Sequence, residues 1–181
     1  MKKSLLLVLF IASVFSLWAN RNVQWATPVK STYVKNFYRV DNGIYRCAQP
    51  DKKAFAELEK LGIKEVLNLR NYHDDKEKAE NTRLKLHRVK MNAGEPNYDD
   101  VLAALRIIKE RKGDIVIHCW HGSDRTGLVV AMYRIVFQGW EKEVAIDELV
   151  NGNYGYHSIY KDILTFIRSV DIEKLKQDLM N

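Results

Sequence analysis

The sequence predicts an α/β domain built on a mainly parallel sheet. Three observations predict it. Short apolar runs alternate with longer segments of helical period, and residues with turn chemistry separate them. The most apolar helical segment, residues 125–137, follows almost at once on a run that reads as a buried strand, residues 114–119. Strands that alternate with helices in this way pack as parallel strands covered by helices.

The elements follow in chain order. Lys2 and Lys3 precede an apolar run over residues 5–17, broken only by Ser13 and Ser16, and Ala19 offers a cleavage point. Residues 1–19 therefore read as a secretory signal peptide. The run is short against the roughly 20 residues of a membrane span. An uncleaved anchor is the alternative reading, and Leu17 fits the small-residue cleavage rule poorly. Residues 20–181 then form a single domain, which is exported, periplasmic or secreted and has no stable membrane insertion once the leader is removed. Residues 20–40 look irregular.

Residues 43–46 form a short strand, and the CAQPD stretch (47–51) holds turn chemistry. Asp51 caps a helix over residues 52–61, with Phe55, Leu58 and Leu61 on one face and Gly62 as its stop. Residues 64–69 are a strand, and His73, Asp74 and Asp75 open a charged helix that runs to about residue 84. Residues 86–91 are the next strand, and NAGEPN (92–97) is a loop. Asn97 caps a helix over residues 98–112, whose Asp99 and Asp100 complement its dipole. Gly113 ends it. Further helices fall at about residues 141–150, 157–168 and 171–179.

The chain of 181 residues carries a formal net charge of +6. Without Lys2 and Lys3 the mature charge is near +4. This mild excess favours anionic ligands but is not the dense basic stripe of a nucleic-acid binder. Two cysteines, Cys47 and Cys119, are too few for a disulfide scaffold.

HCWHGSDRTG (118–127) carries the chemistry. It lies between the buried strand and the buried helix, where backbone N–H groups and the helix dipole attract anions. Such a place also favours a cysteine in its nucleophilic, ionised form. Arg125 supplies a planar fork for two phosphate oxygens. Gly122 permits a bend that other residues resist. Thr126 can donate to the sulfur, and His118 can hold the loop from below.

With those residues in place, HCWHGSDRTG resembles the HC-x5-R-[ST] signature of the cysteine-dependent protein tyrosine phosphatase superfamily. IYRCAQP, LGIKEVLNLR and HCWHGSDRTGLVVAMYRIVFQGW extend the resemblance, over roughly residues 40–155, to bacterial exported dual-specificity-like phosphatases. The resemblance implies a four- to five-stranded sheet and a metal-free, cofactor-free reaction through a phosphocysteine. Cys119 is then the nucleophile, Arg125 the phosphate clamp and Thr126 the aid to sulfur as leaving group. Trp120, His121, Gly122, Ser123 and Asp124 supply backbone donors. In the family the proton donor is usually an aspartate in the loop after the strand that precedes the signature. Here the expected position, near residues 93–95 of NAGEPN, holds none, so Glu95 is favoured and Asp124 is the alternative.

The expected substrate is a phosphotyrosine protein, with phosphoserine and phosphothreonine also open, acted on by a monomer. An inositol phosphate or phosphoinositide is the alternative substrate, although the loop lacks the lysine of relatives with that taste. A catalytically weak phospho-ligand binding module is the alternative of another class. Asn68 and Arg70 read as structural groups at a strand end. Cys47 lies in the element expected beside the loop and is a candidate redox partner for Cys119.

Overall fold

The computed structural model describes residue 22 and residues 24–181; the leader reading of residues 1–19 lies outside the described residues. Its strands are β1 (Thr27–Pro28), β2 (Tyr38–Asp41), β3 (Ile44–Cys47), β4 (Glu65–Arg70), β5 (Lys85–Met91) and β6 (Ile115–His118). Its helices are α1 (Lys52–Lys60), α2 (Lys76–Ala79), α3 (Tyr98–Glu110), α4 (Asp124–Gln138), α5 (Lys142–Asn151), α6 (Lys161–Ser169) and α7 (Ile172–Asp178).

The six strands form one sheet in the order β1-β2-β3-β6-β4-β5. β3, β6, β4 and β5 run parallel, as the alternating pattern predicts. β1 and β2 add antiparallel to the edge at β3, in the segment expected to be irregular. They escape a pattern reading because β1 has only two residues and β2 is YRVD, with a single buried position. Strands β4 and β6 are buried along their whole lengths. Both are covered by helices on both faces, which is why they read as continuous runs.

Two apolar clusters fill the two faces. One holds Leu67, Leu69, Met91, Leu105, Ile117 and much of α4. The other holds Phe55, Leu58, Ile63, Val66 and Val116. Helix α1 covers this second face. Asp51 accepts from the Ala54 N–H as its N-cap, Phe55 and Leu58 point inward, and Gly62 closes the end at φ +93. Each of those two side chains contributes about 1.5–3 kcal/mol by leaving water. Asn97 caps α3 by accepting from Asp100 N–H. The charged helix expected from residue 73 to 84 shrinks to the four residues of α2. The segment before it is taken up by other bonds, with Asn68 Nδ2 donating to the His73 carbonyl.

Helix α4 crosses the centre of the first face and ends on Gly139 at φ +70. Its Arg134 is buried and grips Glu148 of α5, Nε to Oε2 at 2.8 Å and Nη2 to Oε1 at 3.1 Å. Glu148 also accepts from the Ala26 N–H (2.7 Å) and the Tyr154 hydroxyl (2.9 Å). One carboxylate thus ties the N-terminal edge, α4, α5 and the segment after α5. Removing one partner of such a pair strands the other charge. Glu148→Ala is expected to cost about 3–5 kcal/mol in urea unfolding; a loss under about 1 kcal/mol means the carboxylate is not a structural tie.

Candidate active site

Strand β6 leaves the middle of the sheet into residues 119–123, and α4 begins at Asp124. The loop turns on Gly122 at φ +74. A Cβ there would sit 2.4 Å from the Cys47 carbonyl oxygen and 2.7 Å from the Ala48 nitrogen. Glycine is thus required by both conformation and space.

Three successive carbonyls of the loop are taken by donors outside it. Gln49 N–H donates to Trp120 O at 3.0 Å, Asn36 Nδ2 to His121 O at 2.9 Å, and Arg46 Nη2 to Gly122 O at 2.7 Å. The N–H of each of these peptides points the opposite way from its carbonyl, toward the pocket. The loop is therefore a concave anion cradle at a helix N-terminus.

Cys119 lies on the pocket floor and is 1% exposed. Trp120, His121, Asp124 and Arg125 line the same pocket. Arg125 Nη1 reaches the Met91 carbonyl at 3.4 Å, at the end of β5. Ser123 is buried, and its hydroxyl donates to the Tyr154 carbonyl at 2.6 Å. Thr126 is buried too, and among the described residues its hydroxyl makes no hydrogen bond, so the expected bond to sulfur is not formed here.

His118 lies beneath the loop, as expected. One ring nitrogen faces Asp75 Oδ2 at 2.8 Å and the other faces the Cys119 carbonyl at 3.2 Å. Asp75 accepts from Gln49 Nε2 at 2.9 Å, and Gln49 Oε1 accepts from Arg70 Nη1 at 2.8 Å. Burial works to raise the Asp75 pKa, but hydrogen bonds from His118, Gln49 and Asn68 prevail and hold it below its ordinary value.

Arg70 is more than a structural strand end. It lines the pocket with Arg125, and its guanidinium lies 4.3 Å from the centre of the Trp120 ring. Burial and the adjacent Arg125 both lower its pKa, against Asp75 and Cys119. Two guanidinium groups facing one pocket is a standing demand for an anion.

Arg46 is a second residue that sequence reasoning passed over. It is wholly buried, and its guanidinium lies 3.7 Å from the centre of the Tyr154 ring. The available signal was an arginine inside the apolar strand IYRC. Tyr160, from the segment before α6, also lines the pocket.

Two expected residues are placed differently. Glu95 is exposed and accepts from Asn92 Nδ2 at 2.9 Å. It does not line the pocket, although Ala93 of the same loop does. Asp124 does line it, but its carboxylate is turned to His157, accepting the backbone N–H at 2.9 Å and facing Nδ1 at 2.8 Å. Cys47 pairs in register with His118, not Cys119, and packs in the α1-side cluster while Cys119 belongs to the other. The two thiols are free and buried. Burial, with Cys119 and Asp75 nearby, pushes the Cys47 thiol well up. The expected redox partners thus form no disulfide in this structure.

The chain is similar to known proteins in sequence and fold. A profile described as "Tyrosine phosphatase family" matches residues 32–181. The dual specificity protein phosphatase TpbA of Pseudomonas aeruginosa is 33% identical over 165 residues, covering 90% of this chain and 74% of that protein. A crystal structure of TpbA superposes with a TM-score of 0.79 at 32% identity, covering 88% of this chain and 99% of that one. TpbA has also been crystallised in complex with pTyr. The inositol diphosphatase DSP3 of Arabidopsis thaliana is 32% identical over 155 residues, covering 81% of this chain and 75% of that protein.

The depressed Asp75 pKa carries a pH prediction. A carboxyl lowered on folding stabilises the native state above its unfolded value, about 3.9. That stabilisation disappears as pH falls through the folded value. Asp75→Asn is therefore expected to be less stable than wild type at pH 7, with the gap narrowing below about pH 4. Urea unfolding at both pH values checks it, and a constant gap counts against Asp75 as an ionised anchor.

Proposed function

This chain belongs to the tyrosine phosphatase family, and from that premise we propose that it hydrolyses phosphomonoesters on phosphotyrosine proteins through a phosphocysteine. Phosphoserine and phosphothreonine fall within the same chemistry. One observation carries the reading. Cys119 lies on the floor of a cradle of inward N–H groups, with Arg125 and Arg70 facing the same pocket.

A phosphate seated in the cradle has its charge neutralised by the loop amides and by the Arg125 fork. The Cys119 sulfur attacks phosphorus opposite the ester oxygen. The P–O bond breaks, and the leaving oxygen takes a proton. Water then attacks the phosphocysteine, releasing inorganic phosphate and regenerating the sulfur nucleophile. Trp120, half-exposed at the rim and stacked on Arg70, is the surface for an aromatic leaving group.

The proton donor in this reading is Glu95. Ala93 brings its loop to the pocket wall, and a catalytic carboxyl commonly tightens into place only with substrate. Asp124 is the rival, since it already lines the pocket. We place the enzyme outside the cytoplasm, as a monomer without stable membrane insertion. The leader-like residues 1–19 support export. Among the described residues no helix is long and apolar enough to cross a membrane.

An inositol phosphate substrate is the second reading. The likeness to the plant inositol diphosphatase and the extra pocket cation Arg70 favour it. The absence of lysine between Cys119 and Arg125 disfavours it. Steady-state turnover of a panel of phosphopeptides and inositol phosphates separates the two, and failure to turn over even an aryl phosphate points instead to a binding module.

Two predictions follow from the roles. Cys119→Ser is expected to abolish turnover under metal-free conditions while keeping phosphate-ligand binding, and Arg125→Lys to lose most activity, because an ammonium lacks the fork. Near wild-type turnover by Cys119→Ser overturns the mechanism. Glu95→Gln is expected to slow phosphotyrosine peptides by about 10²–10⁴-fold and p-nitrophenyl phosphate far less. A larger loss, dependent on the leaving group, at Asp124→Asn transfers the role to Asp124.

A further inference from the structure

Three side chains converge beside the pocket, and none of them is the nucleophile or the phosphate clamp. His121 comes from the loop, Asp124 from the first turn of α4 and His157 from the segment between α5 and α6. One donor atom from each, an imidazole nitrogen or a carboxylate oxygen, can be chosen so that all lie within 4.8 Å of one another. His157 Nδ1 stands 3.1 and 2.8 Å from the two Asp124 oxygens. The His121 and His157 rings are 5.0 Å apart, tilted by 50°.

The Asp124–His157 contact has a simple structural reading as a latch between the loop and the segment after α5. The backbone N–H of His157 already serves that purpose. The latch explains neither the second imidazole nor the convergence of three donors. Asp124 is buried and held by the His157 N–H, whereas His121 and His157 are exposed to solvent.

The geometry points to a divalent-metal site formed by His121, Asp124 and His157, best suited to Zn²⁺, whose occupation inhibits the enzyme reversibly. Two imidazoles and a carboxylate suit zinc, with ligand distances of about 2.0–2.2 Å. Donor atoms already within 4.8 Å of one another stand close to the separation that a shared ion imposes. As the ion enters, a neutral His157 shifts its proton from Nδ1 to Nε2 and an imidazolium releases its Nδ1 proton to solvent, so the ligand is a neutral imidazole in either case. A water fills the remaining position. Two guanidinium groups face the same pocket, Arg70 and Arg125, and oppose a dication. The Asp124 carboxylate and the Cys119 sulfur offset them. His121 and Asp124 line the pocket with Cys119, so an ion held between them hinders the entry of phosphorylated substrate. This goes beyond the proposed reaction, which needs no metal.

The rival is zinc bound directly by Cys119, since thiolates are strong zinc ligands. Titrating Zn²⁺ alone into Cys119→Ser, by calorimetry and by competition with a chromophoric chelator, separates them without any turnover. One ion per chain is expected, with affinity close to wild type. Adding His157→Ala or His121→Ala is expected to weaken it by at least about 10-fold, with circular dichroism confirming that each variant is folded. Co²⁺ in wild type is expected to give d–d bands without a sulfur charge-transfer band. In turnover of an aryl phosphate, Zn²⁺ is expected to inhibit, a chelator to restore activity, and His157→Ala to need at least about 10-fold more Zn²⁺ relative to its own metal-free rate. The inference falls if Cys119→Ser does not bind, if His157→Ala leaves affinity unchanged, if the sulfur band appears, or if bound Zn²⁺ leaves wild-type turnover unaffected.

Discussion

The site depends on one close approach: the phosphate-loop turn at Gly122 pressed against the Cys47–Ala48 peptide. That contact exists because β3 and β6 are parallel neighbours, in register from Ile44↔Ile115 to Cys47↔His118, and end side by side. Where both strands leave the sheet, their outgoing loops must share one space. Only a residue without a Cβ, at positive φ, lets the second loop bend over the first. Arg46, one residue before the contact, then binds the Gly122 carbonyl from beneath. The strand that supports the loop thus also supplies the donor that sets its carbonyl direction.

The electrostatics follow from that orientation. With the carbonyls of Trp120, His121 and Gly122 bonded outward, the loop presents N–H groups inward at the start of the fifteen-residue helix α4. These partial charges are fixed before any ligand arrives, so binding an oxyanion needs little reorganisation. The cations are arranged in two tiers. Arg125 and Arg70 face the ligand, while Arg46 is sealed behind the loop. Burial lowers the Arg46 pKa, opposed by Tyr154, Glu148 and Cys119. It acts as a fixed donor rather than as a ligand contact. The chain His118–Asp75–Gln49–Arg70 ties Arg70 to the support beneath the loop by hydrogen bonds.

The legible parts were those set by local rules. The parallel strands, the caps Asp51 and Asn97, the stop at Gly62 and the run HCWHGSDRTG all announce themselves within a few residues. The residues that were not legible make their decisive contacts far along the chain. Arg46 meets the loop across 76 positions, and Asp75 meets His118 across 43. No periodicity encodes such a meeting. The edge strands β1 and β2 were missed for a different reason: they are short, largely solvent-facing, and owe their form to β3 rather than to their own pattern. Arg70 looked structural because it ends a buried strand, yet a strand's C-terminal end in an open parallel sheet is where ligands bind.

Asp124 shows why the segment after α5 belongs to the site. A carboxylate in the first turn of a helix is favoured by the dipole, but beside a bound phosphate it is repelled. The fold resolves the conflict by turning the carboxylate sideways onto the His157 N–H and ring. The same segment is held by Ser123 and Asn36, which both donate to the Tyr154 carbonyl. It is held again by the Tyr154 hydroxyl, which reaches Glu148 in the core. Residues 152–160 are therefore not a passive connection. They take the negative charge of Asp124 away from the cradle, and the rigidity of the α4–α5 ion pair is what keeps them in position to do so.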